Sequence, residues 1–499
     1  MSDVFKDLFI FEMANNHQGS VKHGLKIIDA MGKIARKYGI RAGIKFQYRD
    51  LDTFIHPNFR ERNDIKHIPR FLSTRLTDKD FLILIDAVRD EGMIAICTPF
   101  DEPSVQKCIE HGIQIIKVAS CSSTDWPLFE VISETDKPVI ISTGGISIYD
   151  IDNIVSFFSH KSIDFALMHC VGIYPTPHNM LQLNFIGKMF KRYPNVQIGY
   201  SGHEEPDNLD AVKIAISKGA TLLERHVGVP ADGIEFNKYS LTPEQTEKWV
   251  ISAMTAKEIC GSADNNKQVH HTEFESMLSL KRGVYAAKEI KKGDIIKRED
   301  VFFAMPCAEG QTSSGEFGQY RATLVASKNF KSYEPIFERR QPDIISSVRG
   351  IIHDYKGMTY EAGIVLGNDF KIELSHHYGI ERFRKTGALI VNIINREYCK
   401  KLIALLSGQH HPNHHHRIKD ETFQLLWGDL EVNFDKNLIH MRPGDKLHIP
   451  QNAWHSFTSR KGAIFEEIST THIKDDSYYE DKNINNLDPI ERKTIIEKW

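Results

Sequence analysis

Two histidines carry the first chemical signal in this chain. Ser201-Gly202-His203 follows a short apolar run at residues 196–200, and Glu224-Arg225-His226 lies within a second run at 221–227. The segment between them has a helical period and the length of a strand–helix–strand connection. In a parallel βαβ unit both strand ends fall on one edge of the sheet, so His203 and His226 are expected side by side. Two imidazoles flanked by Ser201, Glu224 and Arg225 can hold a divalent metal beside an anion. The alternative is a pair of satisfied structural histidines, and these two motifs alone do not separate the readings.

The elements that must position them come next. Eight short apolar runs occur in the first half, at 8–13, 42–47, 93–98, 115–120, 138–143, 165–170, 196–200 and 221–227. Amphipathic stretches lie between them, one ending at a glycine C-cap (Gly39) and one opened by Asp101 as an N-cap. This alternation predicts a (β/α)8 TIM barrel, and no GxGxxG follows an early strand to favour a dinucleotide fold. The predicted strand ends are all polar. They read Glu12 with Asn15, Asn16 and His17; Lys45-Phe46-Gln47; Thr98; Lys117 with Ser120; Ser142-Thr143-Gly144-Gly145; His169 with Tyr174; Ser201 with His203; and Glu224-Arg225-His226. A barrel builds its active site from these ends. A single lysine there can snorkel to solvent. Two lysines, several hydroxyls and a Gly-Gly turn converging on one mouth make an anion site, most naturally for a phosphate and a carboxylate.

Composition narrows the class. At 499 residues the chain is too long for one core, and 41% hydrophobic with 26% charged residues is ordinary for a soluble protein. A formal net charge of −3 gives no reason to expect nucleic acid or an anionic membrane as partner. No apolar run approaches transmembrane length, the N-terminus lacks the features of a signal peptide, and seven cysteines without a CxxC read as reduced thiols. The expected location is cytoplasmic.

With these residues in view, FEMANNHQGS, KFQ, TPFD, KVAS, STGG, HCVGIYPTP, YSGH and LERH resemble, in order and spacing, the sialic acid synthase family. That resemblance covers residues 8 to about 340. It implies condensation of phosphoenolpyruvate with an aldose or N-acylated amino sugar to a sialic acid-like 2-keto-3-deoxy (nonulosonic) acid. It also implies that Lys45, Thr98, Lys117, Ser120, Ser142 and Ser201 contact phosphoenolpyruvate and that His203 and His226 bind manganese or magnesium. Glu12, Gln47 and Tyr174 are implied as contacts to the sugar or to metal-bound water. Three departures fall on the sugar side. Ser122 replaces a glutamate, Gly172 replaces an asparagine, and the expected aspartate of the loop after His226 is replaced, with Glu235 or Asn237 nearest.

Residues 281–345, after a polar linker at 261–280, resemble the antifreeze-like (SAF) domain that follows the barrel in that family. The resemblance implies a homodimer with lid exchange, in which a lid arginine reaches the partner's sugar. Here Met305-Pro306-Cys307 stands where Arg-Pro-Gly is expected, leaving Arg321 or Arg282 as substitutes. A plain spacer domain is the alternative.

The third region, residues 346–485, carries Gly408, His414, His416, Glu421 and Gly428, then Gly444, Pro450 and His455. This two-part pattern resembles the cupin family. On a strand His414 and His416 project to one face, and Glu421 and His455 can join them from neighbouring strands of a small barrel. Three imidazoles and a carboxylate suit zinc, manganese, iron or nickel. The run FEEISTTHIKDDSYYEDK resembles the sugar-isomerase cupins and implies a second activity; a purely structural barrel is the alternative. Residues 474–486 read as a surface loop and 486–499 as a charged, helical tail.

Overall fold

The computed structural model describes residues 3–499 apart from 232, 235, 236, 262–266, 319–322, 340–342, 368, 475, 489 and 498. Two units divide the chain, Met1–Asn266 and Lys267–Trp499. In the first, eight parallel strands close into a barrel: β1 (Leu8–Glu12), β2 (Arg41–Tyr48), β3 (Ile94–Pro99), β4 (Ile115–Val118), β5 (Val139–Ser142), β6 (Phe165–His169), β7 (Gln197–Gly202) and β8 (Leu222–His226). Each coincides with an expected apolar run, and β1 pairs with both β2 and β8 to close the ring.

Local signals set the helices between them. Ser20 caps the helix Val21–Tyr38 and Gly39 ends it at φ 59, a left-handed conformation that glycine adopts without a Cβ penalty. Asp101 accepts from Ser104 N to open Glu102–Glu110, and Thr77/Asp80 and Ser147/Asp150 form capping boxes.

Alternation along the strands builds two layers. One parity (Phe9, Phe11, Ile44, Phe46, Ala95, Cys97) packs outward against the helices with Trp249, Met31 and Val212. The other (Leu8, Ile10, Ile96, Ile115, Ile140, Met168, Leu222) fills the barrel interior. Gly199 carries no side chain on that inner face because a Cβ would lie 2.6 Å from the Leu222 carbonyl oxygen. Continue the inner parity one step towards the C-terminal ends and the residues become Glu12, Thr98, Lys117, Ser142 and Glu224. The apolar stack is thereby roofed with polar groups.

The second unit begins with the helix His271–Leu280. Gly283–Ala286 pairs with Val301–Ala304, and Ile295–Ile296 with Leu324–Val325, around Val284, Ile290, Phe330 and Ile336. A long helix, Ile344–Glu361, precedes two antiparallel sheets, of seven and five strands among the described residues. Their facing residues include Leu405, Phe423, Leu425, Val432, Phe457 and Phe465.

The C-terminal segments depart from expectation. Residues 493–496 are a strand, not a helix: Lys493–Ile496 pairs antiparallel with Ile372–Ser375. Thr494-Ile495-Ile496 is β-branched throughout, and it covers a sheet edge that would otherwise stand unpaired. Within the expected surface loop, Tyr478–Tyr479 pairs with His414 and His415, and Lys482–Asn485 is helical. All seven cysteines are free, and no helix of the described residues is long and apolar enough to cross a membrane.

Candidate active site and metal centres

At the C-terminal mouth of the barrel, strand register brings the expected residues together. Glu12 lies opposite both Lys45 and His226, Gln47 opposite Thr98, and Ser201 opposite Glu224. Lys45 Nζ closes on Glu12 and lies 3.0 Å from Glu224 Oε1, while Lys117 Nζ lies 3.7 Å from that oxygen and bonds Ser142 Oγ. Ser201 Oγ donates to the same Glu224 oxygen at 2.7 Å. All six side chains are buried. Such charges are tolerated only because each faces its opposite.

Burial raises the Glu12 carboxyl above its ordinary pKa even with Lys45 against it. Burial also works against ionised Glu224, but Lys117 and Lys45 outweigh it and hold that carboxylate below the usual range. Lys45 stays above its usual value, since Glu12 and Glu224 overcome burial, whereas burial wins at Lys117 and lowers it.

Ser120 leaves the strand in a short 3-10 turn, where its Oγ accepts from Gly144 N at 3.2 Å and meets Cys170 Sγ at 3.0 Å. A Cβ on Gly144 would fall 2.7 Å from that hydroxyl, so glycine keeps this cradle open. Thr98 Oγ1 is buried without a partner among the described residues.

His203 and His226 do stand side by side, with ring centroids 5.4 Å apart. Burial pushes His203 down to about 4; burial and then His203 carry His226 well below its ordinary value. Both are neutral and able to ligate. His203 Nδ1 meets the Val171 carbonyl at 3.1 Å, and His226 Nδ1 has no partner among the described residues. The pair fits a divalent ion that keeps open positions for substrate. Tyr174 lies over His203 at 4.4 Å and beside Tyr239 at 5.1 Å. Asn237 donates to Asn16 and accepts from Arg70, at the edge of the mouth, whereas Glu235 lies outside the described residues. Arg225, next to His226, is locked in a fully buried pair with Glu204.

Sequence reasoning missed two members of this site. Glu224 reads in the sequence as a flank and a polar strand end without a role of its own, yet it joins both lysines. Arg49 belongs to none of the sequence motifs. Its guanidinium sits 3.5 Å from the Phe100 ring centroid and 4.1 Å from that of Phe71, and it donates to Gln47 Oε1 at 3.1 Å. Burial lowers it to about 10, and its Nε has no partner among the described residues. It lines a cavity of about 260 Å³ with Asn15, His17 and Gln47. Its spacing was a usable signal, because Lys45, Gln47 and Arg49 follow the two-residue period of a strand. Of the expected lid substitutes, Arg282 lies over Phe303 at 5.9 Å within its own module, and Arg321 falls outside the described residues.

The second unit holds the clearer candidate for a metal centre. His414 and His455 are directly opposed across two strands, and the ligand atoms of His414, His416 and His455 lie within 4.8 Å of one another. Backbone carbonyls fix all three rings. Nδ1 of His414 meets Pro412 O at 3.0 Å, Nδ1 of His455 meets Ala453 O at 3.1 Å, and Nδ1 of His416 meets Asp476 O. Each Nε2 is thereby left as the free lone pair. His416 Nε2, His455 Nε2 and Glu421 Oε2 are buried without hydrogen-bond partners among the described residues. Glu421 Oε2 lies 3.3 Å from His455 Nε2, two acceptors face to face, and a bound cation resolves that arrangement. Glu421 is shared with Lys419, so its attachment to the triad is looser than that of the histidines.

The NeuB family model matches residues 33–265, and a cupin domain model matches residues 401–467. A crystal structure of a spore coat polysaccharide biosynthesis protein E from Chromobacterium violaceum is 43% identical, with 68% of this chain and 100% of that chain covered and a TM-score of 0.65. The N,N'-diacetyllegionaminic acid synthase of Campylobacter jejuni is 24% identical over 356 residues, 67% of this chain and 99% of that protein. The N-acetylneuraminate-9-phosphate synthase of Drosophila melanogaster is 26% identical over 336 residues, 61% and 88% of the two chains. A barrel with two lysines and two histidines at its mouth, matched over this length at this identity, settles the kinship: the chain belongs to the NeuB family and carries a cupin domain after it.

Proposed function

We propose that the barrel condenses phosphoenolpyruvate with an aldose or N-acylated amino sugar, giving a sialic acid-like 2-keto-3-deoxy acid and phosphate. The observation that carries this reading is the polar roof of the barrel, where Lys45, Lys117, Ser142 and Ser201 gather beside His203 and His226. The relatives named as N,N'-diacetyllegionaminic acid synthase and N-acetylneuraminate-9-phosphate synthase support it. Lys45 and Lys117 hold the phosphate and carboxylate, with Thr98, Ser120, Ser142 and Ser201 donating to the remaining oxygens. A divalent cation on His203 and His226 would supply Lewis-acid polarisation of the acceptor aldehyde. Carbon 3 of the enol phosphate attacks the aldehyde carbon, whose oxygen takes up a proton from solvent. Water then adds to the phosphate-bearing carbon, giving one proton to Glu12, and as the C–O bond to phosphate breaks the new hydroxyl passes its proton to the departing phosphate and becomes the ketone. Charge on this path is met by lysines already in place. Gln47, Tyr174 and Arg49 face the acceptor.

We also assign residues 281–345 as the antifreeze-like module of a homodimeric enzyme, and His414, His416, His455 and Glu421 as the ligands of a second divalent metal. The test is phosphate release from phosphoenolpyruvate with manganese, across aldoses and N-acylated amino sugars. Release with one acceptor, lost in Lys117→Met, supports the proposal. No release with any acceptor, together with no binding of phosphoenolpyruvate, overturns it.

A further inference from the structure

The cupin cavity contains more positive charge than a neutral sugar would use. It encloses about 120 Å³, with the His414/His416/His455 face at one side and Ile390, Ile403 and Phe457 as an apolar wall. Acidic groups in its lining are already engaged. Glu467 Oε1 takes both Lys401 and Lys419 at 3.0 Å, Glu421 takes Lys419 again, and Glu373 takes Lys493 at 3.3 Å. Arg492 and Lys474 also line the cavity and have no acidic partner among the described residues. Arg492 is half-buried, its guanidinium 5.5 Å from the Tyr479 ring centroid, and that ring in turn lies 5.4 Å from His414. A cation therefore stands one aromatic ring away from the metal triad. A dication on the triad would add to this surplus rather than neutralise it.

We propose that this cavity is a second ligand site, selective for an acidic sugar. In this reading, hydroxyl or carbonyl oxygens face the triad while a phosphate or carboxylate is held by Arg492 and Lys474. Tyr479 spaces the two ends, and Phe457 with the isoleucines takes the apolar face of the sugar. Guanidinium is the side chain suited to bidentate capture of either anion. This site is separate from the barrel reaction and stands whether or not the barrel turns over phosphoenolpyruvate.

Full-length, manganese-loaded protein carrying Lys117→Met, which removes one of the barrel's two anion-holding lysines while Lys45 still pairs Glu12 and Glu224, should be titrated calorimetrically with mannose 6-phosphate, gluconate and mannose. At least tenfold tighter binding of one acidic probe than of mannose is expected, and which acid binds identifies phosphate or carboxylate as the partner of Arg492. Arg492→Gln should weaken that binding at least tenfold while metal content, read by elemental analysis, stays at the parent value. Lys474→Gln should do so more weakly. Equal affinity for mannose and both acids, binding unaffected by Arg492→Gln, or no binding of either acid by folded, metal-loaded protein would overturn the proposal.

Discussion

Glu224 offers the sharpest test of the barrel's electrostatics. Its Oε1 lies 3.0 Å from Lys45 Nζ and 3.7 Å from Lys117 Nζ, and accepts from Ser201 at 2.7 Å. At an effective dielectric near 20 these two attractions are worth roughly 5.5 and 4.5 kcal/mol. Desolvation of the buried ions cancels much of that, so removing one partner typically costs about 3–5 kcal/mol. Glu224→Gln keeps the shape and an acceptor for Ser201 but deletes the charge, leaving Lys117 without a carboxylate. For a barrel of this size the melting temperature should fall by roughly 6–20 °C, measured by calorimetry. Added phosphoenolpyruvate should stabilise the variant more than the parent, because its anionic groups replace the missing charge. A variant melting within about 2 °C of the parent would refute the reasoning. It would mean that Glu224 is already neutral and that the lysines are balanced some other way.

Three further outcomes are expected. Arg49→Leu should raise KM for the acceptor sugar at least tenfold and leave KM for phosphoenolpyruvate within twofold; an unchanged acceptor KM removes Arg49 from the acceptor pocket. His414→Ala and His226→Ala should each lower the divalent metal content of the full chain by one equivalent, and a variant that keeps both equivalents discards its assignment. The third outcome concerns acid. His377 is 1% exposed, and burial, then Arg492, push it down to about 3. A histidine lowered in the folded state is protonated first in the unfolded chain, so its contribution is intact above pH 6.5 and is lost as pH falls towards the folded value. At pH 5 that amounts to about 2 kcal/mol. Chelator-treated protein should therefore melt lower at pH 5 than at pH 7, and His377→Gln should flatten that dependence; an identical slope in the variant excludes His377 as a source.

Much of the barrel could be read from the chain because one rule governs both its core and its site. On each strand the residues facing the axis recur every second position, so Leu8, Ile10 and Glu12, or Leu222, Glu224 and His226, share a column that is apolar below and polar at the top. The same period continued past the end of β2 leads from Lys45 and Gln47 to Arg49. Apolar periodicity ends with the strand, and a lone arginine after it looks like any solvated charge. Glu224 is hard to read for a different reason: its importance comes from Lys45 and Lys117, on strands more than a hundred residues away in sequence.

The cupin was legible where ligand spacing is fixed by strand geometry, as at His414 and His416, and illegible where long-range pairing decides. Nothing local marks Tyr479 as a cavity wall, and three β-branched residues inside a charged tail are too short a run to mark 493–496 as a strand. Tyr479 is placed by its pairing with His414, and Lys493–Ile496 by the open edge at Ile372–Ser375. Those two closing segments also bring Arg492 to the cavity, since Arg492 immediately precedes the edge strand. The groups proposed to choose the cupin's ligand thus come from the C-terminal stretch 474–492, while the histidine ligands come from the strands His410–His415 and His455–Thr458 and from the turn after the first of them. That division separates their variants: changes at Arg492 should alter which ligand binds and spare the metal, whereas changes at His414 should remove both.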